Sequence, residues 1–382
     1  MSASQRLSPA SFVRHASDVS AFYGFRPIHE VEKGLAGRRS RSLHTFQTSI
    51  ESCTQRFIQQ KRSEPVLAYY ASAAPLHTPT GISARDVGEF GLHVVGTTES
   101  LGEIILLKTL FSIVTEWGAR VSRVRVNALG DRDSKSRFER ELTGYLRKHA
   151  HLLDPVCRKA VGESPLTTYG CTNDACRDVL GDGPRSMNFL SEKSREHFRE
   201  VLEYIESLGL PYEVDDLLVG DTREPSITFA LDLDEPDATI VSGVGGRFDE
   251  YVRKLNARKD GAGASASIFF RKKGLVRSAF VPSASQRAPK IYFVQLGLRA
   301  KLQSLSVVDM LRAAQVPVSQ SFDARSLAPQ MESARAQGVS HLLIMGQREA
   351  IDGTIIVRSM LNSSQTTVPI AILPRYLKTL KV

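Results

Sequence analysis

Cysteine is scarce in this chain: Cys53, Cys157, Cys171 and Cys176 are the four that its 382 residues contain. That is too few for a disulfide framework at this length, so reduced thiols are the expected state. Three of the four cluster, but their spacing is irregular and a fourth ligand would have to come from His149 or His151. No metal is therefore expected. Long apolar runs are also missing. No stretch approaches the roughly 20 residues of a membrane span, and the opening Met1-Ser-Ala-Ser-Gln-Arg6 has no apolar signal core. The expectation is a cytoplasmic chain with no membrane partner. Also absent are a Gly-Lys-Ser/Thr phosphate loop, a nucleophile elbow, a His-Glu-x-x-His helix and any internal repeat. Kinases, serine hydrolases and zinc proteases thus find no support.

Positive charge is in excess, with 50 Lys and Arg against 41 Asp and Glu, a net charge of +9 and a pI near 9.4. Such a surface favours anionic partners, nucleic acid first among them. The length allows two or three domains, each with its own core.

Periodicity places an entry helix over Phe12–Phe22, a helix over Phe46–Phe57, and a hairpin-like strand pair at 65–71 and 88–96. An amphipathic helix is predicted from Gly102 to Trp117, a strand from Arg123, and further helices over Ser134–His149 and Glu192–Leu208. Residues Asp154–Pro184, which hold the cysteine cluster, read as irregular. Strands are expected at Leu217–Val219, Ser226–Leu233 and Thr239–Val241. A glycine passage, Gly243, Gly245 and Gly246, then leads through Arg247 and Asp249 into a helix. The segment Lys33–Leu43 reads as a basic loop. A Ser/Pro/Ala/Arg-rich linker, Ser278–Pro289, separates residues 1–280 from a second domain at 288–382, where strands and helices alternate as in a small, mostly parallel α/β unit.

Taken in order, several passages resemble one family. They are Tyr23-Gly-Phe25, Glu89-Phe90, Asn127-Ala-Leu-Gly-Asp131, Leu190-Ser-Glu-Lys-Ser-Arg-Glu-His-Phe198, Leu218-Val219 and Gly245-Gly-Arg-Phe-Asp249, followed by Gly346-Gln-Arg-Glu349 and Gly353. The chain resembles the histidyl-tRNA synthetases, class II aminoacyl-tRNA synthetases. The resemblance implies an α+β core, an antiparallel sheet flanked by helices, with an insertion near 150–186. A small α/β anticodon-binding-like domain follows. It also implies a substrate-pocket wall formed by Glu89, Gly245, Gly246, Arg247 and Asp249, and a homodimer.

Against that pattern, the residues that would carry the chemistry are missing. An ungapped register puts Thr78 and Thr80 where the family has its ATP-clamping arginine and glutamate, with Arg85 out of register. Gly220 stands for the catalytic arginine, Glu224 and Pro225 for the tyrosines of the histidine pocket, and Arg271 and Gly274 for a glycine and an arginine of the third motif. Val31 stands near a proline of the first. Arg223 is the nearest substitute, but three residues along a strand end it is expected to point elsewhere. One lost transition-state donor costs about a hundred- to a thousandfold. The expectation is a chain that has lost aminoacylation, requires no cofactor, and binds tRNA or other RNA through Arg299, Lys301, Arg348, Arg358, Arg375 and Lys378. The alternatives are an active, divergent histidine–tRNA ligase using ATP and magnesium, and a regulatory subunit of ATP phosphoribosyltransferase.

Overall fold

The computed structural model describes residues 8–35, 44–60, 64–79, 81–219, 223, 225–234, 239–256, 261–272, 290–320 and 326–380. The expected linker and domain boundary, most of the basic loop, and Thr80, Gly220, Glu224 and Gly274 lie outside them.

The first part runs α1 (Pro9–Phe22), β1 (Arg26–Pro27), α2 (Ile28–Glu32), α3 (Phe46–Gln59), β2 (Val66–Ser72), β3 (Val87–Val95), α4 (Leu101–Trp117), β4 (Val121–Ala128) and α5 (Arg132–Lys148). It continues through α6 (Pro155–Glu163), α7 (Asp174–Gly181), α8 (Glu192–Ser207), β5 (Tyr212–Val214), β6 (Ile227–Leu233), β7 (Ile240–Arg247), α9 (Asp249–Asn256) and β8 (Gly263–Arg271). The second comprises β9 (Ile291–Gln295), α10 (Leu298–Ala313), β10 (Val318–Gln320), α11 (Leu327–Ala336), β11 (His341–Met345), α12 (Gln347–Asp352), β12 (Thr354–Ser359), β13 (Gln365–Pro369) and α13 (Leu373–Thr379).

Eight strands form one sheet in the order β1-β2-β3-β8-β7-β6-β4-β5. It is antiparallel except at its two rims, where β1 runs parallel to β2 and β5 parallel to β4. Helix α4 lies on one face with α1 and α8 packed beyond it. This arrangement corrects the expectation of an amphipathic helix there. Ile104, Ile105, Leu106, Leu107, Leu110, Ile113 and Val114 are all buried, because a helix covered on its outer side as well needs no polar stripe. Gly118 then ends α4 in the left-handed region at φ 109°, which a side chain would resist.

The structure alters three further expectations in this part. Residues 154–184 are not irregular. They form α6 and α7 around one 3-10 segment, Pro165–Gly170, each helix opened by a cap: Asp154 accepts from Val156 N–H and Asn173 from Cys176 N–H. Their apolar sides join Leu129, Phe138, Leu142 and Leu146 in a separate cluster. Leu217–Val219 is not a strand, a turn standing at Asp216–Leu217, and the strand lies at Tyr212–Val214 instead. Finally, the glycine passage is not a break. Strand β7 runs through Gly243, Gly245 and Gly246 to Arg247, and the corner to α9 comes only at Phe248.

The second sheet has the order β10-β9-β11-β12-β13. Its first three strands are parallel, but β11–β12 and β12–β13 are antiparallel, so it is mixed rather than mostly parallel. Helix α10 seats on α1 and α4. Lys108 Nζ meets Asp309 Oδ2 at 2.5 Å, Arg312 pairs with Glu116 and lies 5.5 Å over the Tyr23 ring, and the Tyr23 hydroxyl reaches both Asp309 and, at 2.8 Å, Ser112 Oγ.

Candidate functional site

Alternation along the strands decides which residues can share a site. In β3, Glu89, Gly91 and His93 project to one face, and Phe90, Leu92 and Val94 to the other. The pairing carries the same faces across β8 and β7: Val94 lies opposite Ala264 and Ala264 opposite Arg247, while Glu89 lies opposite Phe269. Arg247 therefore belongs to the α4 face and Glu89 to the reverse. Their register marks on β8 are also five residues apart, about 17 Å along a strand. Glu89, Gly245, Gly246, Arg247 and Asp249 do not form one pocket wall. Gly246 shares the face of Glu89, and Gly245 shares that of Arg247.

On the α4 face, Arg247 is 4% exposed and all five of its N–H donors are used. Nε donates to Glu103 Oε1 at 2.6 Å and Nη2 to Glu103 Oε2 at 2.5 Å, a bidentate fork. The other bonds go to the Thr97 and Glu99 carbonyls and, at 3.2 Å, to Asp249 Oδ1. Asp249 in turn accepts from Gly263 N–H at 2.9 Å, closing the β7–α9 corner onto β8. His197 Nε2 stands 2.6 Å from Glu103 Oε1. Burial alone would raise the Glu103 pKa, but the charges of Arg247 and His197 and their hydrogen bonds outweigh it and hold it at about 2. Glu103 also sits in the first turn of α4, where the helix favours a negative charge. With every donor satisfied, Arg247 clamps α4 to the sheet and offers nothing to a ligand.

The reverse face is built around Glu89, 2% exposed. Its Oε1 accepts from Tyr70 Oη at 2.8 Å and from Ser267 Oγ at 2.7 Å. The Tyr70 ring stacks on His93 with centroids 5.2 Å apart, and His93 Nδ1 is 2.8 Å from Ser265 Oγ. Burial, reinforced by the positive charge of Arg223, pushes the His93 pKa down to about 3, so the imidazole is neutral. Burial and the neighbouring Glu89 charge push the Tyr70 phenol far up. Arg223 does turn inward here, contrary to the expectation from register. It is 7% exposed, with its guanidinium 4.0 Å over the Phe46 ring and 5.0 Å over Phe248.

Glycine makes this packing possible at two points. A Cβ on Gly91 would stand 2.1 Å from the Tyr70 ring, which lies flat on that backbone. One on Gly246 would meet the Ile227 carbonyl at 2.2 Å and Pro225 at 3.2 Å. Pro225 is thus buried against Gly246. Arg85 is exposed, Thr78 Oγ1 donates to the Ile82 carbonyl, and Arg271 is exposed at the end of β8. Val31 is buried in the cluster under α3.

Of the expected RNA contacts, Arg299, Arg348, Arg375 and Lys378 are exposed and Arg358 is half-buried. Arg375 and Lys378, three apart on α13, share a face. Lys301 is buried at 7% exposure and is no surface cation. Arg312 is likewise turned to Glu116 of the first part.

Sequence reasoning missed Glu103, His197, Tyr70, His93 and Phe46. Glu103 did leave a signal, as a lone acid inside the apolar run Leu101–Leu107. A carboxylate buried there requires a cation.

Known proteins are similar to this chain along most of its length. A family model described as an anticodon binding domain matches residues 291–380. A histidine–tRNA ligase of Chlorobium phaeobacteroides is 28% identical over 309 residues, covering 78% of this chain and 70% of the relative. One of Dehalococcoides mccartyi is 26% identical over 314 residues, covering 81% and 75%. The solved apo histidyl-tRNA synthetase of S. aureus aligns at a TM-score of 0.47 and 19% identity, covering 94% of this chain and 93% of that one. Residues 291–380 thus match an anticodon binding domain, and along most of its length the chain is similar to the histidine–tRNA ligases.

Proposed function

We propose that this chain binds tRNA or a related RNA through its C-terminal domain and has given up histidine activation. One observation carries the second half. The sheet face around Glu89 is filled by the protein's own side chains: Tyr70 flat on Gly91, His93 beneath it, Arg223 against Phe46 and Phe248, and Pro225 on Gly246. Activation of an amino acid builds negative charge on a phosphorus and needs preorganised cations aimed at it. Arg85 and Arg271 face solvent, and Thr78 is committed to its own loop.

ATP–pyrophosphate exchange with histidine and magnesium tests this reading. The expected result is no exchange above background, and measurable exchange overturns it. RNA binding is expected to weaken as salt rises, with a slope of about 0.7 to 0.9 per phosphate contacted. Binding that ignores salt removes the C-terminal domain's proposed role.

A second reading, an active ligase with ATP and magnesium as substrates, draws support from the inward turn of Arg223. That guanidinium is stacked on two rings and nearly sealed from solvent, which favours a filling role. Under the ligase reading, Arg223→Ala abolishes an exchange activity that the parent protein possesses. Isothermal titration with histidine separates the first reading from a regulator that senses histidine, for which a flat trace is disqualifying. A homodimer, implied by the family, belongs with these proposals and is checked by sedimentation.

A further inference from the structure

The cysteines of the insertion converge in space although their sequence spacing matches no metal motif. Cys157 comes from α6, Cys171 from the turn after the 3-10 segment Pro165–Gly170, and Cys176 from the first turn of α7. Their three sulfurs all lie within 4.8 Å of one another and the thiols are free. Cys157 and Cys176 are buried, and Cys171 is half-buried at the mouth of the cluster.

Backbone donors already point at two of the sulfurs. Asp154 N–H donates to Cys176 Sγ at 3.1 Å and Asn173 N–H to Cys171 Sγ at 3.4 Å. Such N–H···S bonds stabilise charge on sulfur and orient the ligand, as outer partners do around metal-bound thiolates. The caps that make the helices also place the ligands: Asn173 starts α7 and thereby sets Cys176, and Asp154 starts α6 and thereby sets Cys157.

We propose that Cys157, Cys171 and Cys176 form a three-thiolate site for a zinc ion. Zinc suits soft thiolates and takes them at about 2.3 Å, which puts sulfurs on one tetrahedral ion roughly 3.8 Å apart. The observed cluster needs only a small closure to reach that. Binding releases one proton from each of the three thiols to solvent, and three thiolates with one zinc leave a single negative charge. Neither His149 nor His151 joins the cluster among the described residues, so the fourth position opens on the Cys171 side and takes water. The ion ties two short helices and a turn into the apolar cluster of the insertion, whose own core is small.

The test uses the full-length protein, reduced and stripped of metal, titrated with cobalt(II) and then zinc. Expected is a near-ultraviolet thiolate-to-cobalt band saturating at about one ion per chain and bleached by zinc. Cys171→Ser is expected to weaken zinc binding at least about tenfold, whereas Cys53→Ser, in the cluster under α3, leaves it unchanged. Absence of the charge-transfer band in the parent protein overturns the site whatever the variants do. So does a disulfide between any two of the three cysteines in protein purified without reductant, or a thiol cluster that takes copper(I) but not zinc.

Discussion

Two glutamates are buried against opposite faces of the same sheet, Glu103 from helix α4 and Glu89 from strand β3, and they live by different chemistry. Glu103 is held by a bidentate arginine, a histidine and a helix N-terminus, and Arg247 beside it has no donor to spare. Glu89 accepts from the Tyr70 and Ser267 hydroxyls, and the positive charge of Arg223 acts on the neighbouring Tyr70 and His93. The first arrangement is a structural clamp whose parts come from α4, α8 and β7. The second has the makings of a site, with a carboxylate, an imidazole, a phenol and a guanidinium, but rings and glycines close it. A buried ionisable group therefore says little about function until its partners are counted.

Removing the clamp should have the largest effect. Arg247→Ala leaves Glu103 buried without its main partner, and a loss of about 3–5 kcal/mol is expected in urea unfolding. A cost below that of the Glu89 variant would erase the distinction drawn between the faces. Glu89→Gln leaves Tyr70 and Ser267 with a neutral acceptor, and about 1–3 kcal/mol is expected by the same measurement.

Acid separates the faces further. The His93 pKa is depressed from 6.5 to about 3 in the fold, so below 6.5 the unfolded chain binds a proton that the folded chain refuses. Stability then falls with pH from 6.5 towards 3, by up to about 1.4 kcal/mol per pH unit. Glu103, depressed from 4.5 to about 2, contributes stability above 4.5 that is lost only as pH drops towards 2. In a series of unfolding curves, His93→Asn should remove the earlier slope and keep the later one.

The smallest expected effect on stability is at the surface. Arg375→Glu with Lys378→Glu should shift it by less than about 0.5 kcal/mol, while lowering RNA affinity and reducing the salt slope by about one for each phosphate the protein no longer touches. If these changes unfold the protein, α13 is part of its core architecture and not its binding face.

The strands and long helices were legible because burial on one side leaves a periodic trace, as at Phe198, Val201 and Ile205 of α8 or Val124 and Val126 of β4. What escaped depended on neighbours that the local sequence does not show. The circumference of α4 is apolar because α1 and α8 cover it. Strand β7 carries glycines because Phe229, Pro225 and the Ile227 carbonyl occupy the space of their side chains. Strand β13 lies at an edge with only Val368 buried, so it left no alternation to read. The helices of the insertion are too short for periodicity and begin at proline and asparagine, which read as loop. Within the site, family pattern singled out Glu89, Arg247 and Asp249. Their placement on opposite faces follows from strand parity, which required the register of β3, β7 and β8.

The charges between α4 and α10 have a direction. On α10, Asp309 precedes Arg312; on α4, Lys108 precedes Glu116, and the acid of each helix meets the base of the other. Turned end for end, α10 would set acid against acid and base against base. The four side chains thus act as a polarity key. They spell out which way the C-terminal module docks, so that its heading relative to the sheet is written in the docking surface itself.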